Sequence, residues 1–71
     1  MTREQATKAL KSSKVHGASV DFGQGFYVSR NGRARFSALV PDGEPGGRMS
    51  HRNFDLEGAI VMLVSLGLVQ S

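Results

Sequence analysis

The sequence FGQGFYVSRNGRARFSALV, at residues 22–40, determines the fold predicted for this 71-residue chain. Apolar side chains occupy the even positions of this stretch and of the residues just before it, namely Ala18, Val20, Phe22, Phe26, Val28, Ala34, Phe36, Ala38 and Val40. Successive side chains of a β-strand point to opposite faces of the sheet, so this period of two predicts strands that share one buried face. Arg33 and Arg35, at odd positions, are expected on the opposite, exposed face.

Two glycine-containing segments predict the turns of a three-stranded antiparallel meander. A loop over residues 23–25 would place Val20 opposite Val28 and Phe22 opposite Phe26. Glycine favours such loops because it adopts a positive φ without steric cost. The first turn is therefore expected between residues 22 and 26.

The Asn-Gly dipeptide at 31–32 predicts the second turn, and two registers fit around it. A two-residue loop would place Val28 opposite Arg35, whereas a three-residue loop over residues 30–32 would place Val28 opposite Ala34. A buried face strongly specifies strand register. We expect the three-residue loop, because it keeps the even apolar side chains together and leaves Tyr27 opposite Arg35.

A helix is predicted on each side of the meander. Thr2 and Gln5 fit a capping box at the start of a helix over residues 2–13, whose polar side carries Lys8, Lys11 and Lys14. The last helix is expected to begin at Asn53 and to end with Gly67 at the C′ position. The predicted fold class is therefore α+β, in the order helix–strand–strand–strand–helix, with both helices on the even-numbered face.

The last helix carries more apolar side chains than one side of a small sheet can cover. Once part of the helix faces the sheet, a surplus remains, which includes Met62, Leu66, Leu68 and Val69. We expect these four residues to contact a second copy or another protein, which predicts a homodimer. The alternative is a helix sunk between the sheet and the first helix.

Composition limits the classes of function. The chain forms a single domain over residues 1–71 and has no cysteine and two histidines, so we expect no disulfide, metal or cofactor. No segment reaches the roughly 20 apolar residues of a bilayer-spanning helix, and the first fourteen residues do not resemble a signal peptide. We therefore expect a cytoplasmic protein that does not contact a membrane.

Positive charge is concentrated in the first half of the chain. Residues 1–35 contain seven Lys or Arg and two Asp or Glu, whereas residues 36–71 contain two and four. Such asymmetry favours an anionic partner, although a solvated sheet face also carries charge. The leading hypothesis is a binding module that contacts a nucleic-acid backbone through residues of the hairpin and first helix, namely Arg33, Arg35, Arg30, Tyr27, Lys8 and Lys11.

The second hypothesis is a small phage- or plasmid-type inhibitor that binds a host protein. It would use the last helix or the loop predicted over residues 41–52, which is rich in proline and glycine where it begins. Catalysis finds little support, since nothing in the sequence brings His16 and His51 together as an acid–base pair. No catalytic residue is therefore assigned.

The predicted order of elements resembles the double-stranded-RNA-binding domain. In that family a lysine cluster before the last helix grips phosphates across a groove. The corresponding segment here reads RMSHRN at residues 48–53, which is basic but lacks the Lys-Lys-x-x-Lys pattern. The small sheet modules of integrase arm-binding domains are similar in layout too. Both resemblances are of layout alone and carry no motif.

Overall fold

The computed structural model describes residues 1–41 and 47–71, which form two helices and a four-stranded antiparallel sheet. In chain order the elements are α1 (Arg3–Ser12), β1 (Val20–Asp21), β2 (Tyr27–Gly32), β3 (Arg35–Pro41), β4 (Met49–Phe54) and α2 (Leu56–Ser65). The strands lie side by side in the order β1-β2-β3-β4. The α+β class is confirmed, whereas the predicted sheet of three strands is one strand short.

The alternation of apolar and polar residues divides the sheet as predicted. Phe36, Ala38 and Val40 of β3 are buried, while Arg35 before them and Leu39 between the last two are exposed. The core also contains residues of both helices, of β2 and of the segments after β1 and α2: Ala6, Leu10, Phe22, Val28, Ala59, Ile60, Met62, Leu63 and Val69. Both helices therefore cover the even-numbered face of the sheet and leave its other face uncovered.

The first turn has the predicted register. Val20 pairs with Val28, and the backbone N–H of Phe22 donates to the carbonyl of Phe26 at 2.9 Å. Residues 23–25 all have positive φ, and the middle one is Gln24 at 55°. Gln24 is strained in this left-handed conformation, which its glycine neighbours adopt without steric hindrance.

The second turn lies two residues beyond its predicted position, so the predicted register of β2 and β3 is wrong. Val28 pairs with Ala38 rather than Ala34, and the turn itself is formed by residues 33–34. Gly32 remains in β2 at a β-bulge, without a positive φ. A Cβ on Gly32 would lie 3.1 Å from the Cβ of Arg35, so glycine here provides space for the side chain opposite.

β4 falls within the loop predicted over residues 41–52 and extends beyond it; residues 42–46 of that loop lie outside the described residues. The strand shows no apolar alternation, because only Ser50 and Phe54 are partly buried. Phe54 pairs with Phe36 and joins the edge of the core. The prediction that Asn53 caps the last helix is therefore wrong, since Asn53 belongs to β4.

The helix ends follow local capping chemistry. Thr2 and Gln5 form the predicted capping box on α1, with hydrogen bonds of 2.9 and 3.1 Å. The cap of α2 is Asp55, whose Oδ1 accepts the N–H of Gly58 at 2.7 Å. At the other end Gly67 has φ 76°, and the N–H of the following residue donates to the carbonyl of Leu63 at 3.0 Å. This is the predicted glycine C-cap, in a Schellman arrangement.

α2 is buried more completely than expected. Met62 and Val69 are 9% and 3% exposed and belong to the core, so their predicted role as exposed partner surface is wrong. Leu66 and Leu68 are half-buried against the same core. The structure therefore matches the alternative of a helix sunk against the sheet and α1.

Substituting two glycines tests where positive φ is required. We expect Gly67→Ala to lower the free energy of unfolding by about 1–2 kcal/mol, because alanine is strained in the left-handed region. Gly32→Ala should cost less, about 0.5 kcal/mol, since its φ is not positive although the new Cβ would lie 3.1 Å from the Cβ of Arg35. Urea unfolding measures both. Equal losses would place a left-handed turn at Gly32 and contradict the observed register.

Candidate functional site

Arg30 connects α1 to the hairpin of β2 and β3. Its Nη1 donates to the carbonyl of Lys11, in the last turn of α1, at 3.1 Å and to the carbonyl of Ser13, just after the helix, at 2.8 Å. Its Nε donates to the carbonyl of Gly32 at 3.2 Å, and its Nη2 donates to the carbonyl of Arg33. One guanidinium group thus holds four backbone carbonyls from two separate parts of the chain.

The position of Arg30 on the even face explains these contacts. Arg30 pairs with Phe36 in the register, and its guanidinium carbon lies 5.7 Å from the centre of that ring. This distance suits a cation–π interaction. The last carbonyls of a helix lack intrahelical partners and favour a nearby cation, so α1 ends where Arg30 can cap it.

Arg30 therefore has few N–H donors left for the ligand-binding role that the sequence predicted. Arginine has five N–H donors in a fixed fork, and four hydrogen bonds within the chain already occupy this side chain. The basic run by itself does not distinguish Arg30 from Arg33 and Arg35. Its even position was the signal that separates it from them.

Arg30 brings the two predicted basic segments to one end of the molecule. The carbonyls of Lys11 and Arg33 are bonded to the same guanidinium group, so the lysine side of α1 begins beside the hairpin turn. Lys8, Lys11, Arg33 and Arg35 are all exposed, and we call these four residues the basic corner. In the described part of the chain, no ion pair or hydrogen bond occupies their side chains.

Tyr27 lies apart from the basic corner. Because Val28 pairs with Ala38, Tyr27 is opposite Leu39. The three-residue loop had predicted Tyr27 opposite Arg35. Arg35 is four residues along β3 from Leu39, which corresponds to about 13 Å. The predicted Tyr27–Arg35 pair is therefore not formed.

A groove runs from the hairpin to the start of α2. It has a volume of about 720 Å³ and is lined by Asn31, Ala34, Arg35, Asn53, Phe54 and Asp55. The carboxylate of Asp55 already accepts the N–H of Gly58, and Asn31 reaches Asn53 at 3.5 Å. The groove carries one cation and one anion, so it lacks the net positive charge of a phosphate pocket.

The two histidines lie beside different strands of the sheet. The backbone N–H of His16 donates to the carbonyl of Arg30 in β2, whereas His51 lies in β4 opposite Leu39. Since β3 separates these strands, the structure does not bring the imidazoles together as an acid–base pair. Within residues 1–41 and 47–71, no three His, Asp or Glu side chains are grouped for metal binding.

Comparison of the chain with protein-family models, with curated proteins and with solved structures found no match. Neither of the two described helices has the length and apolar character needed to cross a membrane.

Removing the Arg30 guanidinium should loosen the end of the molecule that it holds. We expect Arg30→Met to lower the free energy of unfolding by about 2–3 kcal/mol, since the hydrogen bonds to charged groups are lost. The matched control is Arg33→Met, whose side chain makes no bond within the described chain and should cost less than about 0.5 kcal/mol. Urea unfolding of both variants that gave equal losses would contradict the connecting role of Arg30.

Proposed function

We propose that this protein is a non-enzymatic module that binds a nucleic-acid phosphate backbone at the basic corner. The observation that carries the proposal is the Arg30 guanidinium, which bonds both the end of α1 and the hairpin turn. Two segments far apart in sequence thereby present cations on the same end of the molecule. Arg30 acts as a positioning residue, and the exposed side chains around it meet the phosphates.

The chemistry of the basic corner suits phosphate. Arg33 and Arg35 offer planar forks that bind phosphate oxygens in pairs, while Lys8 and Lys11 act as flexible point charges. None of the four is neutralised by a carboxylate within the described residues. A duplex or a single strand carries a regular row of phosphates, so cations contributed by a helix and a hairpin can contact several at once.

Net charge is consistent with the same partner. The chain has a formal charge of +3 at pH 7, and its cations are concentrated before residue 36. Charge of this sign raises the rate of encounter with polyanions and makes binding depend on salt. Salt dependence is therefore the property that separates backbone binding from other modes of recognition.

Protein binding through α2, the second hypothesis, has lost its main support. Met62 and Val69 are buried, and Leu66 and Leu68 are half-buried, within this chain. Val61 is the large apolar residue of α2 that is left well exposed. A single exposed valine makes a small contact surface.

Charge reversal at the hairpin tests the proposal. We expect the double variant Arg33→Glu with Arg35→Glu to weaken binding to a labelled DNA oligonucleotide by at least about tenfold at low salt, because both cations become repulsive. Fluorescence anisotropy at several salt concentrations measures the affinity. For the unaltered protein, the logarithm of the affinity should fall linearly with the logarithm of salt concentration.

The control reverses the same amount of charge elsewhere. Arg3 lies at the start of α1 and Arg52 lies in β4, and both are exposed. The double variant Arg3→Glu with Arg52→Glu should retain most of the affinity. Equal losses in both double variants would reduce the effect to net charge and contradict a site at the basic corner; absence of binding by the unaltered protein would refute the proposed function.

A further inference from the structure

We infer that the nucleic acid bound by this protein is single-stranded, with its bases lying on the uncovered face of the sheet and stacked on Tyr27. This inference rests on the proposed function and names the class of ligand. The uncovered face carries the odd-numbered residues of the strands, and we call it the outer face. These residues are Asp21, Tyr27, Ser29, Arg35, Ser37, Leu39, Pro41, Met49, His51 and Asn53.

The part of the outer face away from the hairpin turn is apolar and open, and we call it the apolar centre because it lies between Arg35 and Arg48. Tyr27, Leu39 and Met49 are 52%, 47% and 44% exposed, respectively. The strand registers align Asp21, Tyr27, Leu39 and His51 in one row across the four strands. The Tyr27 ring and the His51 imidazole thus lie two strands apart, about 10 Å, with a leucine between them. Aromatic and imidazole rings on an open sheet are the platforms on which unpaired bases stack.

One cation lies at each end of this apolar centre. Arg35 lies at the hairpin end of the same face, and Arg48 immediately precedes β4 at the other end. Asp21 is the carboxylate in the described outer face, and its Oδ1 accepts the N–H of Gly23 at 2.8 Å. A strand that runs from Arg35 to Arg48 would therefore meet a cation at each end and the apolar centre between them, on the side of the face away from Asp21.

A duplex does not fit this distribution. Its outside presents phosphates and sugars, and its bases are stacked on one another inside. The middle of the outer face, Tyr27, Leu39 and Met49, offers no cation to phosphate and cannot reach bases that are paired. A single strand leaves base faces free, so its bases can lie on the apolar centre while its phosphates contact Arg35 and Arg48.

A second copy of the chain is a poorer occupant. Strands about 4.8 Å apart and about six residues long give the outer face an area of roughly 300–400 Å². Stable protein interfaces bury about 800 Å² on each partner. Ser29, Ser37 and Asn53 also form a polar row next to the apolar one, which a dry interface would have to desolvate.

Tyr27 provides a direct optical test. The chain contains one tyrosine and no tryptophan, so tyrosine emission reports on this position alone. An oligothymidylate of about twelve nucleotides is added while anisotropy of its label follows binding, and a duplex of the same length is tested in parallel. Free tyrosine amide at the same DNA concentration corrects for absorbance. We expect quenching of Tyr27 on binding of the single strand, and weaker binding of the duplex.

A substitution gives an independent measurement. Tyr27→Thr removes the ring and keeps a residue that favours strands; it should weaken single-strand binding about fivefold to a hundredfold. Val61→Thr, an exposed substitution on α2, is the control and should leave the affinity unchanged. Circular dichroism checks the fold of each variant, and Tyr27→Phe, which keeps the ring, should retain binding if Tyr27→Thr does not fold.

The outcomes separate this inference from the proposed function. Salt-dependent binding without Tyr27 quenching, or equal affinity for the duplex, would overturn the stacked single strand and leave backbone binding intact. Failure to bind either DNA at low salt would overturn both. Sedimentation showing a dimer that Tyr27→Thr dissociates would assign the outer face to a second copy and overturn the inference.

Discussion

The Arg30 guanidinium is the interaction on which the functional end of this molecule depends. It bonds carbonyls at the end of α1 and in the hairpin turn, and it lies over the Phe36 ring. A helix end and a strand turn each have carbonyls without regular partners, and one planar cation satisfies both sets. Two of those carbonyls belong to Lys11 and Arg33, whose own side chains are exposed cations. The contact that completes the fold therefore also brings these cations to one end of the molecule.

The division of the sheet into two faces is the second constraint. Both helices cover the face that contains Val28 and Phe36. The chain has no cysteine and hence no disulfide, so this single core has to supply most of the stability of the fold. Concentrating the core on one side leaves the other side open, with Tyr27 and Leu39 exposed. The open face and the basic corner are thus consequences of how a short chain builds a single core.

Local sequence patterns predicted the buried face, the capping box and the Gly67 cap, because each depends on residues close together in the chain. They failed where nonlocal contacts decide. The Asn-Gly turn was overridden by pairing along β3, which extends the hairpin by two residues to a turn at 33–34. β4 carries almost no apolar pattern, since an edge strand lined with polar residues is held by backbone pairing to β3. Of the predicted site residues, Arg30 is turned inward by its even position, whereas Arg33 and Arg35 are exposed as expected.

The central claim is that Arg33 and Arg35 at the hairpin and the exposed residues of the outer face bind the same single strand. The most direct measurement is a titration of the ¹⁵N-labelled protein with oligothymidylate, followed by amide chemical shifts. The account predicts the largest changes at Arg33, Arg35, Tyr27 and Leu39, with little change on the exposed side of α2 around Val61. Changes confined to α2, or spread evenly over all exposed lysines and arginines, would contradict it.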